Sequence, residues 1–210
     1  MIGLLLKDLF TMRQYGKTML FMLVFFAVLS SGMDNPAMFF EGFIILLSVM
    51  SAITSFSYDS LAKWDRYALS LPVTRREIVG SKYLLSLCLC GSAAVTSFLI
   101  ASIILQFSPV EGFSLIYHLL SIGALICVAL VFSAILLPLI FKFGVEKSRI
   151  FMLAIFAAPT AAVIVLDKAG VSLPSNGPPK LLIVALPLII ILIYYLSYQL
   201  SVRIFRGKEV

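Results

Sequence analysis

Six apolar stretches, at 18–33, 37–58, 83–107, 113–141, 150–166 and 181–202, leave this chain few ways to fold. A helix rises ~1.5 Å per residue, so about 20 apolar residues cross the ~30 Å hydrocarbon core of a bilayer. Four of the stretches reach that length, and the first and fifth fall slightly short of it. Composition agrees, since 61% of the residues are hydrophobic and only 12% are charged. A soluble domain carries about twice that share of charge. No remaining stretch is long enough for a separate soluble unit, so residues 1–210 read as a single all-α membrane domain with six transmembrane helices.

The basic residues set its expected orientation, because Lys and Arg near span ends are retained in the cytoplasm. Lys7, Arg13 and Lys17 precede the first stretch, and Lys63, Arg66, Arg75, Arg76 and Lys82 lie between the second and third. Lys142, Lys147 and Arg149 join the fourth to the fifth, and Arg203, Arg206 and Lys208 follow the sixth. Only Lys168 and Lys180 fall on the other side. Six spans with both termini cytoplasmic fit this partition. The net charge of +6 is then topological, and a nucleic-acid partner is not expected.

Residues 1–16 place Ile2, Leu5, Leu6, Leu9 and Phe10 at helical spacing, with Lys7, Thr11 and Gln14 opposite. That pattern predicts an amphipathic helix in the headgroup plane. No small-residue cleavage pattern closes the first apolar stretch, so it is expected as an uncleaved span. Outer connections at 31–36 and 108–112 read as tight turns, and 167–180 as an irregular loop rich in Pro and Gly. Cys88, Cys90 and Cys127 fall within spans and read as small apolar packing residues rather than metal ligands.

Charge concentrates between the second and third stretches, in residues 59–82. Leu61, Trp64, Ala68 and Leu71 recur at helical spacing, so the second span is expected to continue into water as a short helix that Pro72 stops. Thr74-Arg75-Arg76-Glu77 has the capping-box pattern, in which the Thr hydroxyl and the Glu carboxylate each satisfy a free N–H at a helix start. A second helix should therefore begin near Arg75 and run through Lys82 into the third span. Trp64 and Tyr67 are large, rigid contact groups suited to an interface. A basic loop held only by anionic headgroups is the plainer alternative.

The run DSLAKWDRYALSLPVTRREIVGSKYLL at 59–85 carries an acid, then W-D-x-Y, then L-S-L-P-V-T-R, then I-V-x-x-K-Y. It resembles the permease subunits of ABC-2 type transporters, and the LLLKDLF of residues 4–10 is similar to their opening. The resemblance implies that 1–16 is an interfacial elbow helix and that 59–82 holds a cytoplasmic coupling helix docked on a separate ATPase. The implied coupling residues are Trp64, Arg66, Tyr67, Leu69, Leu71, Pro72, Thr74, Arg75, Arg76 and Glu77. Lys142, Glu146 and Lys147 would make a second, smaller contact. It further implies two permease copies and two ATPase copies in the bacterial cytoplasmic membrane, with ATP and Mg held by the ATPase. Similar small permeases export amphipathic peptides such as phenol-soluble modulins, or confer resistance to antimicrobial peptides.

This chain has no nucleotide site of its own. Gly16-Lys17-Thr18 imitates the end of a phosphate-binding loop, but Thr11 stands where the first Gly is needed and no strand precedes it. Span interiors read as neutral, with Asp34, Glu41, Glu111 and Asp167 at the outer boundary and His118 as an interfacial polar tip. That reading argues against a proton relay and against an intramembrane protease. Ser48, Ser51 and Ser55 share a stripe of the second span, either as close-packing groups or, with Gln106, as the lining of a translocation path. Span five is rich in alanine and is expected to break at Pro159. A membrane protein that binds a bacteriocin or lipid as an immunity or sensor-modulating factor, without transport, is the competing class.

Overall fold

The computed structural model describes residues 2–13, 15–30, 32, 36–70, 72–107, 115–168 and 180–207, and the regular elements among them are all helices. In chain order these are α1 (Ile2–Arg13), α2 (Gly16–Ser30), α3 (Pro36–Leu61), α4 (Trp64–Ser70), α5 (Arg75–Phe107), α6 (Leu115–Phe143), α7 (Val145–Lys168) and α8 (Lys180–Arg206). Each of the six apolar stretches is helical where described, except Gly32, which forms a turn after α2. Helices α3, α5, α6 and α8 are long and apolar enough to cross a membrane. Helix α2, at 15 residues, is a shorter apolar helix. The expected turns at 31–36 and 108–112 and the loop at 167–180 lie largely outside the described residues. So do Leu71 and the side chains of Arg66, Leu69 and Gln106.

Two expectations about continuity need correction. Helix α7 runs unbroken through position 159; proline is tolerated in membrane helices because neighbouring groups re-satisfy the freed backbone. Conversely, the second span does not run on into α4. Lys63 adopts a left-handed backbone, φ 50°, after Ala62 and Lys63 close the end of α3 through hydrogen bonds to the carbonyls of Tyr58 and Ser60. The chain therefore changes direction there, and Leu61, expected on the stripe with Trp64 and Ala68, is left 80% exposed while Ala68 is fully buried.

The bundle is built on α3 against α5 and α6 against α8, with α3 also touching α6. Phe40, Ile44, Val79, Leu136, Phe141 and Phe205 belong to one continuous apolar core. Hydroxyls tie α5 to α8 within it: the Tyr83 hydroxyl lies 2.7 Å from both Ser197 Oγ and Ser201 Oγ, and Tyr194 donates to the Tyr83 carbonyl at 2.9 Å. Among apolar helices such bonds contribute directionality that apolar contact lacks.

The predicted serine stripe is part of this interior. Ser48, Ser51 and Ser55 are all buried. Ser48 and Ser51 donate to the carbonyls of Ile45 and Leu47, each at 2.7 Å, and reach Cys90 Sγ and Met19 Sδ at 3.8 and 3.7 Å. Within one chain these residues pack helices together.

Glu41 and His118, expected at the outer boundary, lie in the first two turns of α3 and α6 and are buried there as a pair. Glu41 in α3 and His118 in α6 are 1% and 4% exposed, with Glu41 Oε1 2.5 Å from His118 Nδ1. Ser121 donates to Glu41 Oε2 at 2.8 Å, and Phe98 stacks on the imidazole. His118 is thus a buried cross-helix partner rather than an exposed tip. The two groups are 77 positions apart, so only packing could pair them.

Candidate functional site: the charged elbow between α3 and α5

The elbow begins at Lys63 and ends at Thr74, and local sequence shapes both ends. At the far end the capping box forms as expected. Glu77 Oε2 accepts from Thr74 N at 2.9 Å and from Thr74 Oγ1 at 2.8 Å, and Glu77 N lies 3.3 Å from Thr74 Oγ1. The reciprocal bonds satisfy N–H groups left over at the start of α5, so the helix begins at Arg75. Between the two ends α4 is pinned by Ala68, which sits in the core, and by Trp64, whose ring lies 4.2 Å below Lys7 Nζ and 5.3 Å from Tyr67.

Below the elbow lies a closed square of charge. Asp8 and Lys7 come from α1, Asp59 from the last turns of α3 and Lys82 from α5. Asp59 Oδ1 is 2.6 Å from Lys7 Nζ and its Oδ2 is 2.5 Å from Lys82 Nζ. Asp8 Oδ1 is 3.0 Å from Lys7 and 2.9 Å from Lys82. Lys82 also donates to Ser55 at 2.8 Å and sits over the Phe56 ring. Asp8, Lys82 and Asp59 are only 2%, 4% and 9% exposed. Buried charges persist only when paired and hydrogen-bonded; here two acids and two bases neutralise one another. A cavity of about 70 Å³ adjoins them, lined by Phe56, Asp59, Trp64, Lys82, Gly144 and Val145.

This square makes α1 an inside-out helix. Its polar residues Lys7 and Asp8 face the protein, while Leu6, Leu9 and Phe10 are exposed. Its apolar face is thereby left on the outside of the bundle. Pairing Asp8 with Lys82, and not merely an apolar stripe, is what orients it.

Arg75 closes the other flank. Its guanidinium donates to the carbonyls of Phe205 and Arg206 at 3.1 and 2.6 Å, capping the last turn of α8. A cation at a helix C-terminus satisfies free carbonyls and opposes the helix dipole. Arg76 and Pro72 are exposed, as are Tyr67 and Thr74. The second candidate contact is a corner: α6 ends at Phe143, Gly144 takes φ 80°, and α7 starts at Val145. Ser148 Oγ holds the corner through the Gly144 carbonyl at 2.6 Å, leaving Lys142, Glu146 and Lys147 exposed.

The structure therefore gathers at one end of the bundle the arm, the elbow, the α6–α7 corner and the end of α8. Sequence reasoning named most of the elbow but missed Lys7, Asp8, Asp59 and Ser55 as its foundation. The available signal was the cost of charge in so apolar a chain, which demands partners without naming them.

Helices of this length and hydropathy, packed around an apolar core with charge gathered at one end, define a multi-pass helical membrane protein. A sequence profile described as ABC-2 family transporter protein matches residues 3–206, and the chain belongs to that family. Comparison with curated proteins and with solved structures gives no match. Members of the family are membrane transport subunits of ABC transporters, not catalytic chains.

Proposed function

We propose that this chain is the permease subunit of an ABC exporter, moving an amphipathic or hydrophobic substrate, with peptides of the phenol-soluble modulin or antimicrobial type as the first candidates. A separate ATPase subunit, present in two copies with their ATP and Mg, drives a pair of permeases. In this reading all six apolar helices cross the bacterial cytoplasmic membrane, and the charged end faces the cytoplasm with both termini. Helix α1 lies in the inner headgroup plane on its Leu6, Leu9 and Phe10 face.

One observation carries the coupling role: the elbow is rigidly tied to membrane-crossing helices while its outer surface is left open. The capping box joins it to α5 and Trp64 joins it to Lys7 of α1, while beneath it Asp59 and Lys82 lock α3 to α5 and Arg75 locks the start of α5 to α8. A push on α4 would thus reach helices that are locked to one another at this end of the bundle. Tyr67, Pro72 and Arg76 form the open surface and are the residues we assign to ATPase contact. Arg75 holds the elbow in shape and acts only indirectly.

The test is co-purification and ATPase activity of the complex. Tyr67→Ala with Arg76→Glu should reduce association with the ATPase and lower ATPase stimulation by amphipathic peptides, while the permease itself keeps its thermal stability. Unchanged association and stimulation would remove the coupling assignment. Failure of any ATPase to associate with the wild-type protein would favour a binding or immunity role without transport.

A further inference from the structure

A cavity of about 320 Å³ lies between α5, α6 and α8. Four tyrosines wall it, Tyr83 from α5 and Tyr194, Tyr195 and Tyr198 from α8, with Leu130 and Ile190 on its aliphatic side. The Tyr83 ring stands nearly perpendicular to those of Tyr194 and Tyr198, at 74° and 80°, with centroids 5.1 and 5.5 Å apart. All four phenol oxygens are engaged within the protein. Tyr83 meets Ser197 and Ser201, Tyr194 donates to the Tyr83 carbonyl, Tyr195 accepts from Gln199 at 2.8 Å, and Tyr198 makes a long 3.5 Å bond to the Arg76 carbonyl. The wall that remains is carbon: aromatic rings and alkyl groups.

We propose that this cavity binds an amphiphile with a quaternary ammonium head, the tyrosine rings receiving the cation and the Leu130–Ile190 side receiving the alkyl chain. Aromatic rings carry negative charge on their faces and attract a cation, most strongly where water is excluded. A primary ammonium would bring three N–H donors to a wall with no acceptor, at a desolvation cost. A quaternary head has no N–H to satisfy. An anionic head meets the wrong sign of ring charge, and a neutral chain gains burial alone. Tyr198 precedes Arg206 by eight residues, about 12 Å of helix, so the cation would sit in the leaflet adjoining the charged end. As a substrate class this rests on the export reading; as a binding site it does not.

The experiment is equilibrium dialysis of radiolabelled octyltrimethylammonium against the full-length protein in dodecyl maltoside, with no ATPase present. Tyr195 is 57% exposed and bonds only within its own helix, so its replacement leaves the Tyr83 network intact. Tyr195→Phe should bind like wild type, and Tyr195→Leu about five-fold more weakly, with Tyr198→Leu as the second variant. Octylammonium and octyl sulfate should displace the probe at least about ten-fold less well than unlabelled octyltrimethylammonium. Wild-type binding by both leucine variants, or equal displacement by octyl sulfate, would overturn the site as a cation cage. Binding without transport would count against export alone, and peptide-stimulated ATPase activity without binding would count against this site alone.

Discussion

Replacing Lys82 by Met tests whether the buried square holds the elbow. The amine contacts Asp59 at 2.5 Å, Asp8 at 2.9 Å and Ser55 at 2.8 Å, and is 4% exposed. Met fills similar volume, so the main change is electrostatic: two carboxylates are left sharing Lys7. Removing one partner of a buried ion pair costs about 3–5 kcal/mol, because the remaining charge is stranded. At roughly 2–4 °C per kcal/mol for a chain of this size, K82M should lower the melting temperature by about 6–20 °C. Adding Asp8→Asn restores neutrality, leaving Lys7 and Asp59 as a single pair at 2.6 Å. K82M/D8N should therefore melt above K82M, with a coupling energy of about 1–3 kcal/mol. The assay is thermal unfolding in detergent followed by the fraction that remains monodisperse. If K82M melts within a degree of wild type, or D8N makes it worse, the square is a surface ornament and the argument for a rigid elbow fails.

Three further perturbations probe other joints. Thr74→Ala removes both hydroxyl bonds of the capping box and should cost about 0.5–2 kcal/mol; hydrogen exchange at the first turn of α5 should accelerate, and unchanged exchange would mean the cap is dispensable. Gly144→Ala meets no atom within 4 Å, so its cost is backbone alone, about 1–2 kcal/mol for a left-handed residue; a melting temperature equal to wild type would show that the corner relaxes out of φ 80°. A double-mutant cycle on Glu41→Gln and His118→Phe should give a coupling energy of about 0.5–3 kcal/mol, and additive effects would deny the α3–α6 pair.

How much could be read in advance differs from one joint to the next. The capping box spans four consecutive residues, and Thr74 through Glu77 formed the expected bonds around the expected helix start. Tyr67 and Arg76 were named and are exposed, but Trp64 and Arg75, named beside them, turned out to anchor the loop to α1 and α8. Their types suit both roles, and only the position of a distant helix distinguishes them. The break at Lys63 escaped notice because a left-handed residue is ordinarily marked by Gly or Asn, and Lys bears no such mark.

The sequence by itself determined that this chain folds as apolar helices, that α5 starts at the Thr74 capping box, that its basic residues fall in four segments, and which transporter family it resembles. These follow from period, length and composition and, for the resemblance, from the motifs at 59–85 and 4–10, all of them properties of neighbours along the chain. Only the tertiary structure decided that those four segments meet at one end, that α1 turns its charges inward, and that Glu41 finds His118. Asp8 and Lys82 stand 74 residues apart, and nothing local specifies their partnership. The high cost of an unpaired charge in so apolar a chain requires such pairs, and the packing of the helices selects them.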